Sequence, residues 1–175
     1  MDRDYVLADY TIIVDTREQH GYDFSGFFAD AKYWHADGTK PPLVIPLKQK
    51  ALRSGDYSLE GYEDTIAIER KSKVDAFSTF CHEHDRFERE LERLNTLPGW
   101  AGVVVEASLI SCLRDPPPHT KYAPKSFYRQ LRAWQIRYRG VHWEFHSTRT
   151  EAERAVLRLL ERYWLDDQKR RKELQ

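Results

Sequence analysis

The chain has 175 residues, which fits one domain with a real core. Its 28 basic and 28 acidic residues cancel to a formal net charge of zero, which excludes a globally cationic DNA binder but leaves local basic faces open. Two cysteines make no disulfide framework. No apolar run nears the ~20 residues of a membrane span, and Met1-Asp2-Arg3-Asp4 does not open a signal peptide. The expectation is a cytoplasmic protein with no membrane contact.

Residues 1–9 read as an N-terminal extension and 10–165 as one domain. Tyr10-Thr11-Ile12-Ile13-Val14-Asp15 is apolar on both faces, as in a strand inside a covered sheet. An acid at its end must be paired, cap the next turn or bind a metal ion. Residues 20–42 are aromatic and irregular, and a short helix over residues 24–34 is predicted. Tyr22, Phe24, Phe27, Phe28, Tyr33 and Trp34 are expected to cover a sheet edge rather than stack on bases. Leu43–Leu47 is a short extended piece. Lys48, Lys50 and Arg53 then form a basic run, usually solvated surface but here placed for a phosphate contact.

Gly55-Asp56-Tyr57-Ser58-Leu59, a turn-rich link and Ile66-Ala67-Ile68-Glu69-Arg70-Lys71 read as a hairpin. Side chains two apart on a strand point the same way. Glu69 and Lys71 therefore face one site and Arg70 the other side, while the hairpin brings Asp56 to Glu69. An Asp followed by Glu-x-Lys on the next strand is the pattern of a metal-dependent phosphodiesterase: carboxylates to hold a divalent ion, an ammonium to steady water or a phosphoryl oxygen.

Ser72 or Asp75 can cap a helix over residues 74–81. Cys81-His82-Glu83-His84 fits no standard zinc spacing. Residues 85–97 form an amphipathic helix burying Phe87, Leu91 and Leu94, ended by Pro98-Gly99. Ala101–Glu106 is a second buried strand, whose final acid either faces the site or makes a salt bridge. Residues 114–122 are a loop. The helix over 126–138 puts Phe127, Leu131, Trp134 and Tyr138 on one face and Lys125, Arg129, Arg132 and Arg139 on the other. Residues 121–140 hold six basic residues and no acid, which points to an anionic partner. Val141–His146 alternates like a strand. Thr148-x-x-Glu151 and Thr150-x-x-Glu153 both offer capping boxes for a helix burying Ala152, Ala155, Val156, Leu159, Leu160 and Tyr163. Residues 166–175 read as a frayed charged tail. The order of elements implies an α/β/α sandwich around a central mixed sheet.

Three of these pieces together resemble the XPF-type (ERCC-family) nuclease domain of the PD-(D/E)XK restriction-endonuclease superfamily. They are Ile13-Val14-Asp15-Thr16-Arg17-Glu18, then Gly55-Asp56 with Glu69-Arg70-Lys71-x-x-x-Asp75, and Asp85-Arg86-Phe87-x-x-Glu90. Gln135-Ile136-Arg137-Tyr138 before a strand is similar to small stand-alone bacterial and phage members. The resemblance implies a restriction-endonuclease-like fold and a magnesium- or manganese-dependent DNA endonuclease. Its substrates would be flaps, junctions or other branches in repair or recombination, in the cytoplasm of a bacterial or phage-infected cell. By position it implies Asp15, Asp56 and Glu69 as acids of the metal site, with the Arg70 carbonyl completing it. Glu18 would be a further ligand or water positioner. Lys71 would orient water and stabilise the phosphate, and Asp75 would support the Arg70–Lys71 segment. Arg17 and Arg86 would contact phosphate, and Lys125, Arg129, Arg132 and Arg139 are the further DNA-binding candidates. Larger members add a helix-hairpin-helix module, for which no room is expected after residue 164, so the resemblance leaves the source of DNA-structure selectivity open, with a homodimer or a partner protein as the candidates. Trp134, Tyr163 and Trp164 are candidate dimer contacts. The alternative is a non-catalytic DNA-binding or scaffold partner of a nuclease, against which the complete set of signature residues speaks.

Overall fold

A computed structural model describes residues 4–118 and 120–174. Along the chain run β1 (Val6–Leu7), β2 (Ile12–Val14), β3 (Leu43–Val44), β4 (Leu47–Gln49), β5 (Tyr57–Leu59) and β6 (Ile66–Ser72). Helices α1 (Lys73–Cys81) and α2 (His84–Asn95) follow, then β7 (Trp100–Glu106), α3 (Leu109–Arg114), α4 (Pro124–Arg137), β8 (Val141–Phe145) and α5 (Arg149–Glu173).

Six strands form one mixed sheet in the order β4-β2-β5-β6-β7-β8. β5 is antiparallel to both β2 and β6, while β6, β7 and β8 run parallel. The strands read as near-continuous apolar runs because both faces are covered. Alternate residues serve opposite layers: Ala67, Val103 and Val105 pack under α1, α2 and α4. Ile66, Ile68 and Val104 pack under α5 and the aromatic segment of Tyr22, Phe24 and Phe27. The expected α/β/α sandwich is the architecture found.

Local chemistry sets the helix ends. Ser72 accepts from Asp75 N–H and Asp75 reaches back to Ser72 N–H, so α1 starts in a capping box directly after the Glu-x-Lys strand. Of the two boxes before α5, the Thr148–Glu151 one is used, and Glu153 instead accepts from Phe24 N–H at 2.7 Å.

Several expectations need correction. Residues 24–34 form no helix beyond a 3-10 turn at Ala31–Tyr33. Phe24 sits at φ 52° and Gly26 at φ 76°, which a right-handed helix cannot contain. Tyr22, Phe24 and Phe27 are buried, whereas Phe28, Tyr33 and Trp34 stay exposed. Lys48 and Lys50 pair with Glu60 and Glu63 across the sheet edge, so neither is a free cation beside the hairpin. α5 continues to Glu173 instead of fraying, held by Arg171–Asp167 and by the Tyr62 hydroxyl, which donates to Asp167 at 2.6 Å. It buries Leu157 rather than Ala155 or Leu159. Trp134 is wholly buried, its indole N–H donating to Glu88 at 2.8 Å, which removes it as a contact between copies. Among the described residues, no helix is long and apolar enough to cross a membrane.

Candidate active site

The site lies where β5 begins and β6 ends. Asp56 N–H donates to the Ile68 carbonyl at 2.8 Å, the last rung between the two strands on this edge. Two residues further, Arg70 N–H has no strand partner there and donates to the Asp56 carboxylate at 2.7 Å. A residue's N–H and C=O leave an extended strand on the same edge, so the Arg70 carbonyl lies on the Asp56 side as well. Gly55 makes this turn at φ 72°, and a Cβ there would stand 3.0 Å from the Ile68 carbonyl oxygen, so only glycine fits without strain.

On one face of β6, Lys71 Nζ stands 2.9 Å from Glu69 Oε1. The ammonium also lies 4.8 Å from the centre of the Phe87 ring, presented by α2. On the other face, Arg70 turns away to Glu106 at 2.9 Å and Glu18 at 3.5 Å. Glu106 also accepts from the Tyr22 hydroxyl and from Arg149, each at 2.8 Å, which settles it as the centre of a salt-bridge cluster behind the strand. The period-2 reading of Glu69, Arg70 and Lys71 is therefore what the fold contains.

These side chains wall a cleft of about 360 Å³ lined by Asp15, Arg17, Glu18, Gly55, Asp56, Glu69, Arg70, Lys71, Asp75, Arg86 and Glu90, among others. Burial, and then the Glu69 charge, push the Asp56 carboxyl well above its ordinary range, against the Arg70 N–H that favours its charge. Burial raises Glu69 too, and Lys71 offsets this only in part. Burial alone would lower Lys71, but Glu69 outweighs it and holds the ammonium above its usual value. The cleft thus gathers more negative charge than it neutralises. Hard carboxylate oxygens in that condition fit a divalent cation. Among the described residues, no three His, Cys, Asp or Glu side chains already form a cage for one.

Asp15 reaches the cleft wall with its acceptors filled. Oδ1 takes Arg17 N–H at 2.7 Å and Arg17 Nε at 2.8 Å. Oδ2 takes Arg17 Nη2 at 2.9 Å and Leu52 N–H at 2.7 Å. Burial works against the Asp15 charge, yet these donors hold its carboxyl below the usual range. Arg17 itself is largely exposed at the lip. Arg86 is exposed beside it, paired with Glu83 at 2.9 Å. Asp75 contributes through the α1 capping box. Lys125, Arg129, Arg132 and Arg139 lie on or beside α4 and do not line the cleft.

One residue escaped a role in the sequence reading. Glu90 of α2 accepts from Gly55 N–H at 2.9 Å and pairs with Arg93, so α2 grips the turn that aims Asp56. On the sequence it is one acid among several on an amphipathic helix, three residues after Phe87, and only its place in the Asp-Arg-Phe-x-x-Glu piece marks it.

No curated protein matches the chain. Among solved structures, XPF from Aeropyrum pernix is similar at 21% identity and a TM-score of 0.56, over 94% of this chain and 68% of that one. The same archaeal protein in complex with DNA is similar at 20% identity and 0.55, over 91% and 66%. The chain thus spans about two thirds of the length of these neighbours, and at such identity the likeness is one of fold. The ERCC4 domain itself matches residues 13–159, from within β2 into the first half of α5, and includes every cleft residue named above. On that match the chain belongs to the ERCC4-domain family.

Proposed function

We propose that the protein is a divalent-metal-dependent DNA endonuclease acting on flaps, junctions or other branches. The observation that supports this most is the Asp56–Glu69–Lys71 constellation: two acids around one partly buried ammonium in the wall of a polar cleft. Family membership supports the nuclease reading, and the archaeal neighbour's complex with DNA supports DNA as the substrate.

Asp56 and Glu69, with the Arg70 carbonyl on the same edge, would hold a magnesium or manganese ion. A bound ion there supplies neutralising charge to the phosphate and makes nearby water more acidic. Lys71 keeps its proton, so it serves as a fixed positive charge and hydrogen-bond donor where negative charge grows on the phosphoryl oxygens. Glu18, its side chain nearly buried against Arg70, would orient water from the cleft wall. Arg17 and Arg86 at the lip seat the backbone without reading bases. Asp15, with its acceptors spent, braces Arg17 and the Leu52 loop. Glu90 holds the Gly55 turn that carries Asp56, and Asp75 caps α1 directly after the Lys71 end of β6.

The test is a panel of labelled duplex, flap, fork and four-way-junction DNA incubated with the protein in magnesium, manganese or chelator. Cutting that needs metal and prefers branched substrates supports the proposal. Binding with no cutting in any metal would instead favour a non-catalytic scaffold.

A further inference from the structure

The cleft does not use the strongest charge bias in the chain. Lys125, Arg129 and Arg132 stand at i, i+4 and i+7 on α4, and Ile136, 71% exposed, continues the same line at i+11. Arg139 follows just past the helix end. This line lies opposite Phe127, Leu131 and Trp134, which α4 buries. No acidic residue falls between Asp115 and Glu144. Elsewhere surface cations are mostly paired, as at Lys48, Lys50, Arg86, Arg162 and Arg171. Among the described residues, none of the four stripe cations has a carboxylate within ion-pair reach. Arg132 meets only neutral partners, Gln135 at 2.8 Å and the Tyr128 hydroxyl at 3.0 Å.

The helix start adds a second sign. α1 and α5 place Asp75 and Glu151 in their first turns, where acids complement the dipole. α4 has no acid there and carries Lys125 instead, so positive charge is added to a positive helix end. That arrangement works against the isolated helix and suits a bound polyanion.

We propose that this face of α4 is a second phosphate-backbone site, taking a duplex arm that lies outside the cleft. The inference rests on the nuclease reading above and specifies how a branched substrate is held. Along α4 from Lys125 to Ile136 the stripe runs roughly 16 Å at 1.5 Å per residue, about five base pairs of rise at 3.4 Å each. α1 and α2 form one wall of the cleft. α4 packs on the far side of α1, with Phe127 stacked 4.6 Å from Phe77 and 4.2 Å from Phe80, and its stripe faces away from that contact. A backbone on the stripe is therefore offset from one in the cleft by at least a helix layer, about 8–10 Å. Arms that diverge at a branch meet both surfaces.

The experiment measures DNA binding by the full chain carrying Asp56→Asn, which prevents cutting, from 50 to 200 mM salt. Each phosphate contact contributes about 0.9 to the slope of log affinity against log salt. Adding Lys125→Gln, Arg129→Gln and Arg132→Gln together should lower the slope for a two-armed fork by roughly 2 to 3. A linear duplex too short to reach beyond the cleft should keep its slope. Arg129→Lys with Arg132→Lys, which preserves charge, should restore most of the fork slope, and unchanged melting curves show that the variants fold. An unchanged fork slope overturns the second site while leaving the nuclease reading intact. Equal loss on the short duplex overturns the assignment to a second arm. Failure of the parent chain to bind any DNA overturns both readings, and stripe-dependent binding of polyglutamate without DNA binding would assign the face to an acidic protein.

Discussion

Replacing Asp56 by Asn should abolish metal-dependent cutting and at the same time stabilise the metal-free fold. The Asp56 carboxyl accepts one short bond, from Arg70 N–H at 2.7 Å, and shares its surroundings with Glu69 and Glu18. An Asn Oδ1 can keep that bond while removing the charge. Two like unit charges 4 Å apart repel by about 4 kcal/mol at an effective dielectric constant of ~20, less in proportion as they separate. Burial adds to this repulsion, and the Arg70 N–H with a smaller contribution from Lys71 offsets part of it, leaving a net strain of about 1–2 kcal/mol. The sign follows from linkage: a carboxyl raised in the folded state binds its proton more tightly there than in the unfolded chain. Its ionised form therefore weakens the fold at neutral pH, and stability returns as pH falls through the raised value. For a chain this long each kcal/mol moves Tm by about 2–4 °C, so Asp56→Asn should melt roughly 2–8 °C higher in chelator. A divalent ion at 100 times its dissociation constant should stabilise the unsubstituted chain by about 2.7 kcal/mol and the variant by far less. Scanning calorimetry with and without manganese reads both effects. A variant that melts lower in chelator, or gains as much from manganese as the parent, would refute the charge-excess account.

Three further outcomes follow from the same geometry. Glu90→Ala should raise the manganese concentration for half-maximal cutting about 10-fold or more, while Glu90→Gln, which keeps an oxygen for Gly55 N–H, should recover most of the loss; equal defects would show that Glu90 acts otherwise. Gly55→Ala forces a side chain to φ 72° and against the Ile68 carbonyl, and should destabilise by at least about 1–2 kcal/mol, seen as a lower urea midpoint. Asp15 has a depressed carboxyl, so its contribution is complete above the ordinary Asp value and disappears as pH falls through the depressed one; Asp15→Asn should cost about 1–2 kcal/mol at pH 7 and progressively less in acid, whereas a pH-independent loss would assign Asp15 to packing alone.

Much of the site could be read from periodicity and turn chemistry. The alternation through Ile66–Lys71 fixed which side chains share a face, and Gly55-Asp56 before it fixed the hairpin. Phe87, Leu91 and Leu94 gave α2 its inward face. What escaped was short, aperiodic or tertiary. α3 has only six residues, too few to show a period. The 24–34 segment carries aromatics at no regular spacing, and its path depends on left-handed backbone at Phe24 and Gly26. Glu106 could not be decided from its own strand, because Tyr22 and Arg149 come from distant parts of the chain. The same holds for Glu90, whose partner is a backbone N–H 35 residues away, and for Asp15, whose oxygens are filled partly by the Leu52 loop.

The central claim is that Lys71 acts on the scissile phosphate inside a metal site built from Asp56 and Glu69. Single-turnover cutting of a saturating flap substrate by the Lys71→Ala chain tests it most directly. The account predicts unchanged DNA affinity and a rate at least about 100-fold lower, the usual effect of removing one preorganised donor from a developing charge. Cutting by Lys71→Ala at the parent's rate, in the same metal, would contradict it.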